Sequence, residues 1–124
     1  AWAITVRGQT HRNMGHHDDA LTDYNRAVEI NPEEASIIAA RGETYRLMKR
    51  YDDALNDFNR AIEIKPEYAW AITNRGQTYR LMKRYDDALS DFNRAIKIKP
   101  NEAWIIADRG ETHRLTDHYD NALN

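Results

Sequence analysis

The sequence predicts an all-α chain, a solenoid of stacked antiparallel helix pairs. Three observations carry that prediction: an internal period of 34 residues, two separate apolar stripes of helical spacing within each period, and only five Gly and three Pro in 124 residues. Self-similarity at a fixed period of 20–50 residues is the signature of a repeat architecture and takes precedence over local propensity.

The period is strict. Gly8, Gly42, Gly76 and Gly110 share one phase, as do Pro32, Pro66 and Pro100, Ala20, Ala54, Ala88 and Ala122, and Ala27, Ala61 and Ala95. Residues 35–68 and 69–102 agree at 25 of 34 aligned positions. The chain divides into repeats 1–34, 35–68 and 69–102 and a partial fourth, 103–124.

Residues 66–99 show how each element arises. Pro66 suits a first helical position and Glu67 a helix N-terminus. Tyr68, Ala71, Ile72, Gly76, Tyr79 and Met82 then recur at spacings of three and four, one face of a first helix. The run Met82-Lys83-Arg84-Tyr85 ends it, and Asp86-Asp87 opens a second helix with acid at its N-terminus. Ala88, Leu89, Phe92, Ala95, Ile96 and Ile98 form the second stripe, and Lys97 and Lys99 place positive charge at its C-terminal end. A glycine inside a helix costs about 0.5–1 kcal/mol relative to Ala, so a glycine column implies close approach of the paired helices. No pair can bury its stripe alone, so the pairs must stack.

Composition excludes several classes. The chain is 31% charged with a formal charge of −2, which attracts neither nucleic acid nor an anionic membrane. No apolar run approaches the roughly 18 residues of a membrane span, and the N-terminus lacks the layout of a signal peptide. With no Cys there is no disulfide, thiolate metal site or cysteine nucleophile.

These columns resemble those of the tetratricopeptide repeat: a Gly, a Tyr three later, then Ala, Phe or Tyr, Ala and Pro, which in the third repeat are Gly76, Tyr79, Ala88, Phe92, Ala95 and Pro100. The Asn74-Arg75-Gly76 run resembles a bacterial-type subclass of that family. The resemblance implies a right-handed superhelix whose first helices line a concave groove that holds a peptide or partner protein. It also implies a cytoplasmic location and no cofactor. Arg7, Arg41, Arg75 and Arg109 depart from the usual Leu, and His11 and His113 replace the Tyr of Tyr45 and Tyr79.

Arginine outnumbers lysine 13 to 5. The Asp column (Asp23, Asp57, Asp91) repeats in step with Arg7, Arg41 and Arg75, and bidentate bridges between the two helices of a repeat are expected. The alternative pairs Asp91 with Arg94 on a wet surface. If the bridge is buried, Asp91→Ala is expected to be costly and Arg75→Leu tolerated.

By the family's geometry the groove is lined by Trp2, Gln9, Arg12, Glu43, Arg46, Trp70, Gln77, Arg80, Trp104, Glu111 and Arg114. An Arg ladder beside large aromatics suits a peptide cradle. The competing reading packs the Trp rings over neighbouring helices and pairs each Arg with a nearby Gln or Glu. Family members that hold chaperone tails use a Lys/Asn clamp, and the matching columns here carry Thr5, Gln9 and Ala40.

No metal site is expected, because His11, His17 and His113 stand in aromatic columns and His16 and His118 at turns. The Met14, Met48 and Met82 column reads as packing. Catalysis has no support, since Ser36 and Ser90 lack a nearby His and no glycine-rich phosphate loop is present. An RNA-binding solenoid is the lesser alternative, disfavoured by the charge and by the Asp-Asp pair of each second helix.

The chain opens in phase with the repeat, without Met, and its last residues match the start of a second helix, as expected of a piece of a longer array. Ile4 at one end and Tyr119, Ala122 and Leu123 at the other are expected to support end-to-end self-association into homo-oligomers.

Overall fold

The computed structural model describes residues 3–4, 7–9 and 15–123, with side chains through His118. All regular structure among these residues is α-helical. Residues 3–4 and 7–9 are helical, followed by α1 (His17–Ile30), α2 (Ala35–Leu47), α3 (Tyr51–Ile64), α4 (Ala69–Leu81), α5 (Tyr85–Ile98) and α6 (Ala103–Leu123). Two compact units divide the chain, Ala1–Pro66 and Glu67–Asn124. No helix of the described residues is long and apolar enough to cross a membrane.

In the first unit, Ala20, Tyr24, Ala27 and Ile37 form a core against which Ile4, Val28 and Ala40 pack. Ile4 is partly buried against this core. α2 and α3 are antiparallel about the turn at Met48–Arg50, with Arg41 opposite Asp57 and Gly42 against Phe58. A Cβ on Gly42 would lie 2.9 Å from Cε1 of Phe58, a fully buried ring. The glycine lets the ring sit against the backbone of α2.

The second unit repeats this geometry. Gly76 accommodates Phe92 on α5, where an added Cβ would lie 2.8 Å from the ring. Ala88, Phe92 and Ala95 of α5, Ile72 of α4 and Ile105 of α6 are fully buried. Burying one such large side chain contributes about 1.5–3 kcal/mol.

The turns explain where the helices stop. In each of the two turns after α2 and α4, a lysine adopts the left-handed conformation, Lys49 and Lys83 both at φ 62°. Arg50 N donates to Tyr45 O and Lys49 N to Arg46 O, each at 2.9 Å, and Arg84 and Lys83 repeat both bonds. This is a Schellman motif, whose usual apolar contact between the outer residue and the last turn is here a cation–π contact. The guanidinium carbons of Arg50 and Arg84 lie 4.8 and 4.7 Å from the ring centroids of Tyr45 and Tyr79. Gly15, at φ 77°, holds the same column ahead of α1.

Two expectations are corrected. Pro66 does not begin a helix: it lies in the turn between α3 and α4, three residues before Ala69. Its effect falls on Lys65, held outside helical geometry at φ −132° and ψ 88°, because the helical region is disfavoured for a residue before proline. The proline thus ends the preceding helix. The second correction concerns residues 119–123, which do not open a second helix but continue α6 for 21 residues in all. The stop signal is missing there. Asp117 replaces the lysine, His113 and His118 replace the Tyr–Arg pair, and Thr116 replaces Met and bonds back to Thr112 O at 2.9 Å.

Candidate functional site

Three ion pairs fix the helices that carry the candidate face. Arg41 donates from Nε and Nη2 to Asp57 at 2.8 and 2.7 Å, and Arg75 to Asp91 at 2.9 and 2.7 Å. Arg7 meets Asp23 in the same fork at 2.9 and 2.6 Å. The aspartates are the buried partners: side-chain exposure is 7% for Asp91 against 18% for Arg75. Arg7, by contrast, is 67% exposed.

Donating these hydrogen bonds to Asp57 holds the Arg41 guanidinium charged beyond its ordinary range, and those to Asp91 do the same for Arg75. Burial pushes the Asp57 carboxyl up from its ordinary value, against the pull of Arg41. Arg41 therefore offsets only part of the cost of burying Asp57, as is common for ion pairs taken out of water. A second acceptor joins from the adjacent helix, Asn25 Oδ1 to Arg41 at 3.1 Å. Arg109, the fourth of its column, has no carboxylate partner among the described residues and donates to Asn93 Oδ1 at 3.0 Å.

These pairs set the phase of α2 and α4. Of the residues assigned to the groove, Trp2 and Arg12 lie outside the described residues, as do Tyr119, Ala122 and Leu123 among the side chains assigned to self-association. Gln9 is exposed. On α2, Glu43 and Arg46 are half-buried and 3.8 Å apart. The second unit assembles the most complete face. Gln77 Nε2 donates to Asp108 Oδ2 at 2.7 Å, and Arg80 Nη1 stands 3.7 Å from Asp108 Oδ1. Glu111 accepts from Nε of Arg114 at 3.0 Å and also from its Nη2. That bond, reinforced by the fields of Arg114 and Arg80, holds the Glu111 carboxyl below its ordinary value.

A polar row thus crosses from α4 to α6, alternating cation and carboxylate. Trp70 and Trp104 stand in the first turns of these two helices. Trp70 is half-buried beside Tyr68, with ring centroids 6.1 Å apart, and Trp104 is 42% exposed. Chemically the row offers both donors and acceptors, and Trp104 adds an open apolar surface. Each arginine of the row faces a carboxylate, so a bound anion would have to compete with one.

Sequence reasoning missed Asp108, which organises the row. Its column runs Val6, Ala40, Asn74, Asp108, so nothing periodic marks it. The threonine column was also missed. Thr44, Thr78 and Thr112 are fully buried and donate to the carbonyls of Ala40, Asn74 and Asp108 at 2.8–3.0 Å. Its strict recurrence was the available signal. Among the described residues no three His, Asp or Glu side chains gather as metal ligands would.

The fold is similar to that of several solved structures. The first tetratricopeptide domain of Spaghetti (RPAP3) bound to the HSP90 peptide SRMEEVD superposes with a TM-score of 0.88 at 19% identity, covering 94% of this chain and 92% of that one. The second such domain of human RPAP3, in complex with the HSP70 peptide SGPTIEEVD, gives 0.84 at 21% identity over 91% and 94%. The Sgt2 domain from Aspergillus fumigatus gives 0.90 at 18% identity over 98% and 82%. No curated protein matches the chain significantly. Tetratricopeptide repeat family models match residues 34–101 and 1–34. With its glycine and aromatic columns, helix pairs and matched length, the chain belongs to the tetratricopeptide repeat family.

Proposed function

We propose that the chain is a non-catalytic scaffold whose first helices hold an extended peptide segment of a partner protein. The polar row Gln77–Asp108–Arg80, continued by Glu111–Arg114 and flanked by Trp104, carries this reading. Alternating donors and acceptors suit a peptide backbone, which presents both. Trp and Arg are the side chains most often responsible for binding energy at interfaces.

The ligand in this reading is a segment of low net charge with an apolar or aromatic anchor, rather than an acidic tail. Two structural neighbours carry HSP90 and HSP70 peptides ending in EEVD. Here Arg46, Arg80 and Arg114 already face Glu43, Asp108 and Glu111, and the clamp columns carry Thr5, Gln9 and Ala40. Among the described residues the same pairing leaves no continuous cationic track for RNA. The Asn74-Arg75-Gly76 run supports placement in the bacterial-type subclass.

Calorimetric titration with SRMEEVD tests the charge argument. The expected result is no measurable heat of binding at millimolar peptide; low-micromolar binding that disappears in Arg80→Ala would overturn it.

A further inference from the structure

Arg80 is held differently from the other arginines of the first helices. Arg7, Arg41 and Arg75 fork onto aspartates at 2.6–2.9 Å, Arg114 forks onto Glu111, and Arg109 donates to Asn93. Arg80 makes no hydrogen bond among the described residues. The cause lies in the sequence. Three residues before Arg46 and Arg114 stand Glu43 and Glu111, but three before Arg80 stands Gln77. Gln77 carries no charge and donates from Nε2 to Asp108 Oδ2 of α6 at 2.7 Å. Arg80 Nη1 is left 3.7 Å from Asp108 Oδ1, beyond the roughly 2.7–3.2 Å of an N–H···O bond. Its field also reaches Glu111, but that carboxylate already accepts from both Nε and Nη2 of Arg114. The side chains of Arg80 and Asp108 are each 21% exposed, shielded from bulk water yet within reach of a ligand. An uncommitted donor edge and an uncommitted acceptor oxygen therefore stand side by side.

A ligand group that completes this arrangement must offer an acceptor to Arg80 and a donor to Asp108 from one edge. A carboxylate satisfies Arg80 and is repelled by Asp108, and an ammonium or guanidinium meets the reverse. A backbone peptide group carries both functions, but its trans geometry points N–H and C=O in opposite directions. A hydroxyl bridges with a single atom, as a solvent water does, and gains little by replacing one. A primary carboxamide presents its oxygen and its N–H donor on the same edge. We propose that Arg80 and Asp108 read the side-chain carboxamide of an Asn or Gln in the bound peptide. Its oxygen accepts from Arg80 Nη1 and its nitrogen donates to Asp108 Oδ1. Both bonds are strengthened by the charge on the protein group, while the ligand itself stays neutral. The proposal rests on the peptide-binding reading and names the polar residue that such a segment carries beside its aromatic anchor.

The probes are blocked heptapeptides of Ala and Ser carrying one Trp and one Gln or Asn at every spacing. An N-methylamide closes each, so that the side chain supplies the only primary carboxamide. Each is titrated into the intact, isotope-labelled chain, and the side-chain N–H signals of Arg80 and Gln77 are followed by two-dimensional NMR. At least one spacing is expected to give saturable shifts of both signals. Affinity should fall at least tenfold when the carboxamide residue becomes Glu, Lys, Met or Thr, and equally in the Arg80→Ala chain. Asp108→Ala should reverse the choice, the Glu peptide then binding at least tenfold more tightly than its Gln counterpart. Met serving as well as Gln, with shifts at Trp104, would overturn the proposal and leave the peptide-binding reading standing. Absence of shifts with every peptide at millimolar concentration would overturn both. An Asp108→Ala chain that binds Gln in preference to Glu would overturn the proposal alone.

Discussion

Gly42 and Gly76 each face a fully buried phenylalanine ring, whereas Gly110, in the same column, faces open space. The two settings predict opposite signs for one substitution. Overpacking costs about 1–3 kcal/mol, against about 0.8–1 kcal/mol gained when Ala replaces Gly in a helix. Gly76→Ala is therefore expected to lower stability and Gly110→Ala to raise it by about 0.8–1 kcal/mol. Urea midpoints of the two variants check this; shifts of the same sign would contradict the packing assigned to the column. The ion pairs make a second prediction. Because Asp91 is more buried than Arg75, Arg75→Leu is expected to strand the carboxylate, where the sequence alone led to the expectation that it is tolerated. Asp91→Ala and Arg75→Leu should each cost about 3–5 kcal/mol, and replacing both by apolar residues should recover most of it. Denaturation of the two single variants and the double variant measures this directly. The Arg–Asp register was legible because both columns recur in step. Which partner lies deeper depends on tertiary packing and was not.

At the scale of the element, helix ends depend on a few residues acting together. Lys83 in the left-handed conformation carries about 1–2 kcal/mol of strain, and glycine there would return about 0.5–1 kcal/mol of it as added chain entropy. Lys83→Gly should thus stabilise by about 0.5–1 kcal/mol, checked by thermal unfolding. Gly15 at the matching position was the sequence signal for this conformation, and the Tyr–Arg contact that closes the motif left none beyond its recurrence. The pairing of helices was readable from the stripes, whereas the unbroken α6 was not. Its last residues copy the start of a second helix, and only His113, Thr116, Asp117 and His118 mark the missing stop. The Glu111–Arg114 bond gives α6 a pH dependence. Its folded-state carboxyl lies below the ordinary 4.5, so the stability it adds is fully present above that pH and lost as pH falls through the folded value. Amide NMR between pH 6 and 2 should show α6 loosening in this window, with the effect reduced in Glu111→Gln. Asp57 behaves in the opposite sense: its raised carboxyl favours the folded state on protonation and so does not drive acid unfolding.

For the whole molecule, a 34-residue period wrote the helical architecture almost completely, because each column carries the same physical demand in every repeat. The candidate site was legible only in part. Trp104, Arg80 and Arg114 stand in columns that the family's geometry directs to the groove, but Asp108 is unique in its column and turns an apparent arginine ladder into an alternating row. The periodic charge is thereby met at Arg80 by a residue outside any periodic column, and at Arg46 and Arg114 by Glu43 and Glu111 of a column visible in the sequence. The central claim is that this row and Trp104 hold a segment of low net charge, and peptide-display selection against the intact chain followed by affinity measurement on Trp104→Ala and Arg80→Ala tests it most directly. Near-neutral sequences with an apolar or aromatic anchor are predicted, each losing at least tenfold in affinity to either variant. Uniformly acidic sequences, or sequences that bind both variants as tightly as the parent chain, would contradict it.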